Sequence, residues 1–168
     1  MGETVMENRM KQKLLILLLA VALLFAPLAA FAADGDLIIP PFDASNFYGT
    51  EGMTWTVEEA DVKTFAYMID PGTKKMTIWF VLNRTSLSGT PSAQVNIKIP
   101  ANKVSAIDMD MFTVIIEGPT TNRQVGTCGA NDAEGYNTFI SISKNDMNQF
   151  VLGTNNFYAR GTAVLAFQ

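Results

Sequence analysis

From Ala33 onward, apolar residues recur at every second position in short runs, and no stretch holds them at helical spacing over three turns. Gly, Pro, Asn and Asp separate the runs. The pattern predicts strands over Leu37 to Ile39, Met53 to Glu58, Thr64 to Ile69, Lys75 to Asn83, Ala93 to Ile99, Met111 to Glu117, Val125 to Cys128, Thr138 to Ser143, Phe150 to Leu152 and Phe157 to Phe167. The class is all-β.

Asp70-Pro-Gly-Thr73 places Pro where a turn wants a fixed φ and Gly where it wants a positive one, so the strands on either side should form a hairpin. Alternation assigns Met76, Ile78, Phe80 and Leu82 to a core face, together with Val95, Ile97 and Ile99, and turns Gln94, Asn96 and Lys98 to water. Two sheets with one apolar face each bury those faces against one another. The expected fold is an antiparallel β-sandwich in jelly-roll order, with another Greek-key order as the alternative.

The first 32 residues have a different pattern. Arg9, Lys11 and Lys13 precede the uncharged run Leu14 to Phe25, Pro27 breaks it, and Ala30-Phe31-Ala32 offers small side chains to a signal peptidase. Residues 1–32 therefore read as a signal peptide, and the mature chain is expected outside the cytoplasm, in a periplasm or beyond the cell. The alternative is an uncleaved anchor, since uncharged residues continue from Leu14 to Ala33. After the leader come an extended segment, 33–52, and one sandwich domain, 53–168.

Removing the leader leaves 136 residues with 9 basic and 14 acidic side chains, a formal charge of −5. That excess disfavours a nucleic-acid partner. The single cysteine, Cys128, cannot form an intrachain disulfide, and its place in a run of strand character predicts a small buried apolar residue.

The succession Thr54-Trp-Thr-Val-Glu58, Asp61, Thr64-Phe-Ala-Tyr67, Met76-Thr-Ile-Trp-Phe-Val-Leu82, Thr85-Ser-Leu-Ser-Gly-Thr-Pro91 and Val95-Asn-Ile-Lys-Ile-Pro100 resembles a β-sandwich domain common in tail-fibre and other structural proteins of bacteriophages and prophages. Tyr158-Ala-Arg-Gly-Thr-Ala-Val-Leu-Ala-Phe167 looks like the closing strand of such domains. The resemblance implies a sandwich, trimeric knobs and binding to a surface receptor or glycan. An export leader departs from that pattern, because phage structural proteins assemble in the cytoplasm.

With no histidine in the chain, neither a Ser-His-Asp nor a Cys-His arrangement nor an imidazole zinc site can be built. A carboxylate-only glycosidase is the one enzymatic alternative, and Glu58, Glu59 and Asp61, its densest acidic group, read as a solvated turn. Asp108 and Asp110 stand two apart on one side of an extended segment, where they could share a calcium ion; an exposed loop is the competing reading, and no cofactor is otherwise expected. Asn131, Asp132 and Glu134 form a weaker set of the same kind.

Trp79 is turned by alternation away from the core face of its strand, where an indole can stack on a sugar ring or on a neighbouring subunit. Tyr136 and Tyr158 are further candidates for ligand contact, with Tyr48 and Tyr67 behind them, whereas Trp55 shares a face with Met53 and Val57 and belongs to the core. Asn83-Arg-Thr85 fits a glycan acceptor pattern. The expected function is a secreted, non-catalytic binding module for a glycan or cell-surface ligand. The alternative is a structural subunit of an appendage, layer or homo-oligomer, in which Leu37-Ile-Ile-Pro-Pro41 would add to another chain's sheet.

Overall fold

A computed structural model describes residues 35–107, 109–117 and 123–168, of which 110, 112, 114, 116, 117 and 123 are described by backbone alone. The leader read in residues 1–32, Asp108 and the side chain of Asp110 lie outside this description. Nine strands are found among the described residues: β1 (Phe47–Gly49), β2 (Met53–Thr56), β3 (Val62–Asp70), β4 (Lys75–Gly89), β5 (Gln94–Lys98), β6 (Met109–Glu117), β7 (Arg123–Ala130), β8 (Phe139–Lys144) and β9 (Gly153–Ala166).

Every strand pairing is antiparallel, and the strands follow one path, β1-β5-β8-β7-β6-β9-β4-β2. The path folds into two packed layers of four, a β-sandwich, turning from one layer to the other through β6 and β7. Strand β3 shares one edge of β4 with β2: β3 takes Lys75 to Leu82 and β2 takes Ser86 to Gly89. Hairpins β3–β4, β6–β7 and β7–β8 are combined with non-sequential neighbours β1–β5, β5–β8, β6–β9, β4–β9 and β2–β4, an order of Greek-key type.

The expected β3–β4 hairpin forms around Asp70, whose Oδ1 accepts from the Gly72 and Thr73 backbone N–H groups and whose Oδ2 accepts from the Thr73 hydroxyl, but the positive φ expected at Gly72 falls on Lys74 instead, at 52°. These bonds hold the Asp70 carboxyl below the usual carboxylate range, the Thr73 hydroxyl contributing most.

Met76, Ile78, Phe80 and Leu82 are all buried and meet Phe157, Ala159, Ala163 and Leu165 of β9, Val95 and Ile97 of β5, and Ile140 and Ile142 of β8 in one core. Trp55 is in this core, as expected, and so is Cys128, whose Sγ lies 3.9 Å from the Thr162 carbonyl oxygen. Gly126 and Gly161 flank Thr113 in one cross-strand row. A Cβ at Gly161 would stand 2.7 Å from Phe80 Cζ, and one at Gly126 would stand 2.4 Å from Ile115 Cδ1. The two absent side chains let strands and core close up where the path turns.

Several expected elements are corrected. Strand β4 runs on to Gly89 rather than stopping at Asn83, because a bulge at Arg84 keeps it paired. Phe150 to Leu152 is not a strand: Phe150 N–H bonds the Ser92 carbonyl oxygen and its ring packs on Phe157 at 5.1 Å, so the segment is a buried connection. Phe47–Gly49, read within the lead segment, pairs with β5. Asn96 is buried rather than facing water, since Tyr48 stands opposite it in the β1–β5 register. The segment Leu37 to Ile39 contributes one bridge, in which Ile38 and Tyr67 exchange both backbone bonds at 2.8 and 2.9 Å. The lead thus pairs with the β3 edge of its own chain.

Candidate functional site

Strands β3, β4 and β9 set their outward residues in rows: Ala66, Trp79 and Thr162 in one, Thr64, Val81 and Arg160 in the next. Trp79 is half-buried, because the neighbours in these rows shield part of the indole while no strand covers it. Together with Thr64, Val81, Val125, Arg160 and Thr162 it bounds an open hollow of about 880 Å³ on the face of the sheet. Thr64 and Arg160 are exposed, and Val125 is 54% exposed on the next strand but one. The hollow therefore offers an aromatic surface, two apolar neighbours, two hydroxyls and one guanidinium.

Tyr158 lies on the same outward side of β9, two residues before Arg160, and is half-buried outside the hollow. Tyr136 is elsewhere. It sits in the β7–β8 connection, 63% exposed, its ring 6.3 Å from Phe139 at an interplanar angle of 66°. Phe139 in turn meets Tyr48 at 5.9 Å and 83°. The structure thus separates the three aromatic candidates: Trp79 and Tyr158 share one layer, and Tyr136 joins a cluster on the other.

Beside that second cluster, Gln94 Nε2 donates to Asn96 Oδ1 at 2.8 Å and to Ser141 Oγ at 2.7 Å, and the Thr127 and Ser143 hydroxyls share a 3.0 Å bond. Burial raises the Tyr48 phenol above its ordinary value, partly offset by a hydrogen bond with the Asn96 side chain.

The described acidic candidates lie in local turns. Glu58, Glu59 and Asp61 form a capped 3-10 turn in which Asp61 Oδ2 accepts from Glu58 N–H at 3.0 Å. Asn131 caps its own loop, its Oδ1 accepting from Ala133 N–H at 2.7 Å, and Asp132 and Glu134 are exposed there. Among the described residues no three His, Cys, Asp or Glu side chains cluster as a metal site would need. In the acceptor pattern at Asn83, the Thr85 hydroxyl of the folded chain is buried between Trp55 and the Phe157 carbonyl.

Sequence reasoning missed Arg160 and the hydroxyls of Thr64 and Thr162, which join Trp79 only through strand register. The alternation of Tyr158, Arg160 and Thr162 against Phe157, Ala159 and Ala163 was the available signal for one strand's share. Searches against protein families, characterised proteins and solved structures find no match to this chain.

Proposed function

We propose that the chain is a secreted, non-catalytic module that binds a neutral glycan against Trp79. The observation that carries the reading is the outward, half-buried indole in an open hollow with hydroxyls and a guanidinium beside it. Pyranosides with equatorial hydroxyls present a flat C–H face that stacks on an aromatic ring, while their hydroxyls need a few placed polar partners. The export leader read in residues 1–32 supports a module that works among polysaccharides. The charge of −5 after the leader favours a neutral sugar over an acidic one. The sequence resemblance to sandwich domains of phage structural proteins, which implies receptor or glycan binding, supports the same direction.

Titration calorimetry of residues 33–168 against neutral β-linked hexasaccharides of glucose, N-acetylglucosamine, xylose and mannose tests the reading. Saturable binding to at least one is expected, weakened about tenfold by Trp79→Ala, an amount set by the loss of one aromatic contact. Heat-free titrations across the set, or affinity unmoved by Trp79→Ala in a folded variant, would refute it.

One observation favours the structural-subunit reading: Leu37 and Ile39, 61% and 75% exposed, flank the Ile38 bridge on a sheet edge, beside an apolar notch that includes Phe42 and Phe65. Light scattering decides it. A wild-type oligomer dispersed by Leu37→Lys with Ile39→Lys supports assembly, and a concentration-independent monomer excludes it.

A further inference from the structure

The outward face of the other layer has the two components that sugar recognition uses, arranged side by side. Tyr48 on β1, Phe139 on β8 and Tyr136 in the connecting loop make a continuous run of rings with centroids 5.9 and 6.3 Å apart. Next to it, along β5, β8 and β7, runs a strip of amide and hydroxyl groups: Gln94 and Asn96, then Ser141 and Ser143, then Thr127. In an ordinary solvated sheet face these side chains would be independent rotors. Here Gln94 is held by two bonds from one nitrogen, and Thr127 by Ser143. The polar groups are thus oriented before any ligand arrives, which lowers the ordering cost of binding. A hydroxyl that accepts one hydrogen bond keeps its own proton to donate, so Ser141 can serve a ligand as well as Gln94.

We infer that this aromatic and amide face is a second contact for a neutral saccharide, independent of the Trp79 hollow, so that one chain bridges two polysaccharide strands. The inference rests on the glycan reading of the Trp79 face and deepens it from binding to cross-linking. The side chains of the strip, Gln94, Asn96, Ser141, Ser143 and Thr127, are all uncharged, and Lys98 at its margin is the one cation of β5, so the ligand is a neutral sugar here too. The two contacts are centred on different layers, Trp79 on β4 and the rings around β8, and approach one another at β7, where Val125 of the hollow and Thr127 of the strip stand two residues apart on one side of the strand. A short oligosaccharide on one leaves the other open.

Calorimetric stoichiometry with cellohexaose and chitohexaose separates the outcomes. Wild type is expected to bind two equivalents of at least one of them, Trp79→Ala and Tyr136→Ala one each, and the double variant none. Tyr136 is exposed on a loop, so its removal leaves the core intact, and Tyr48→Phe supplies a milder second probe through the Asn96 bond. The same proteins mixed with hydroxyethylcellulose and glycol chitin should raise light scattering only when both faces are present. One equivalent, lost with Trp79→Ala and unmoved by Tyr136→Ala, would overturn the second contact and leave the proposed function standing. No binding of either hexasaccharide would overturn the second contact, and heat-free titrations of the xylose and mannose hexasaccharides as well would overturn the proposed function.

Discussion

At the scale of single residues, the most constrained polar group is the Thr85 hydroxyl. Trp55 Nε1 donates to it at 2.8 Å and it donates to the Phe157 carbonyl at 3.1 Å, all of it buried. Thr85→Val keeps the volume but strands the indole N–H, and a buried donor without a partner costs about 1–3 kcal/mol. Urea unfolding should show a loss of that size with the m-value unchanged. Gly161 is constrained by space rather than bonding. A Cβ 2.7 Å from the buried Phe80 ring forces the ring or β9 to move, so Gly161→Ala should destabilise by about 1–3 kcal/mol in the same assay. Neither residue advertises itself along the chain: Thr85 reads as part of an acceptor pattern and Gly161 as one more glycine, because the partners of both are 30 or more positions away.

At the scale of elements, β4 shows how much alternation reveals and where it fails. Its first half follows the expected period, with Met76, Ile78, Phe80 and Leu82 inward, and the burial of all four agrees with the pattern. The phase then flips, so that Thr85 and Leu87 are inward. The flip is made by a register shift around Arg84, which adopts φ of 64°. A period-two reading has to end the strand there, since a bulge is invisible without the partner strand. Arg84→Val should cost about 1–2 kcal/mol, as a β-branched residue resists that backbone region, while Arg84→Gly should stay within about 0.5 kcal/mol of wild type. The β3–β4 turn was legible because its signal is local, although the positive φ falls on Lys74, at 52°, rather than on Gly72, and the Asp70 side chain closes the turn. Its Asp70 has a folded pKa below the ordinary 3.8, so its contribution is complete above that value and is lost as pH falls through the lower one. Thermal melts of wild type and Asp70→Asn should therefore differ at pH 6 and converge as the pH falls well below 3.8.

At the scale of the whole molecule, the all-β class and the sandwich followed from the period of two and the apolar faces. The strand order did not, since it depends on which distant strands meet. The candidate site was half legible for the same reason. Trp79 could be placed outside the core by alternation alone, but Arg160, Thr162 and Thr64 become its neighbours only through the β3–β4 and β4–β9 registers. Likewise Tyr136 was visible as an aromatic in a polar loop, while its company with Phe139 and Tyr48 was not. The two outward faces are the consequence of folding one antiparallel path back on itself.

Tryptophan fluorescence tests the central claim most directly, because the chain has two indoles, Trp55 in the core and Trp79 at the hollow. Adding cellohexaose or chitohexaose to wild type should shift the emission saturably to shorter wavelength as Trp79 leaves water, and Trp79→Phe, which keeps Trp55, should show no shift. A shift that persists in Trp79→Phe, or no saturable change with any of the four hexasaccharides, would contradict the account.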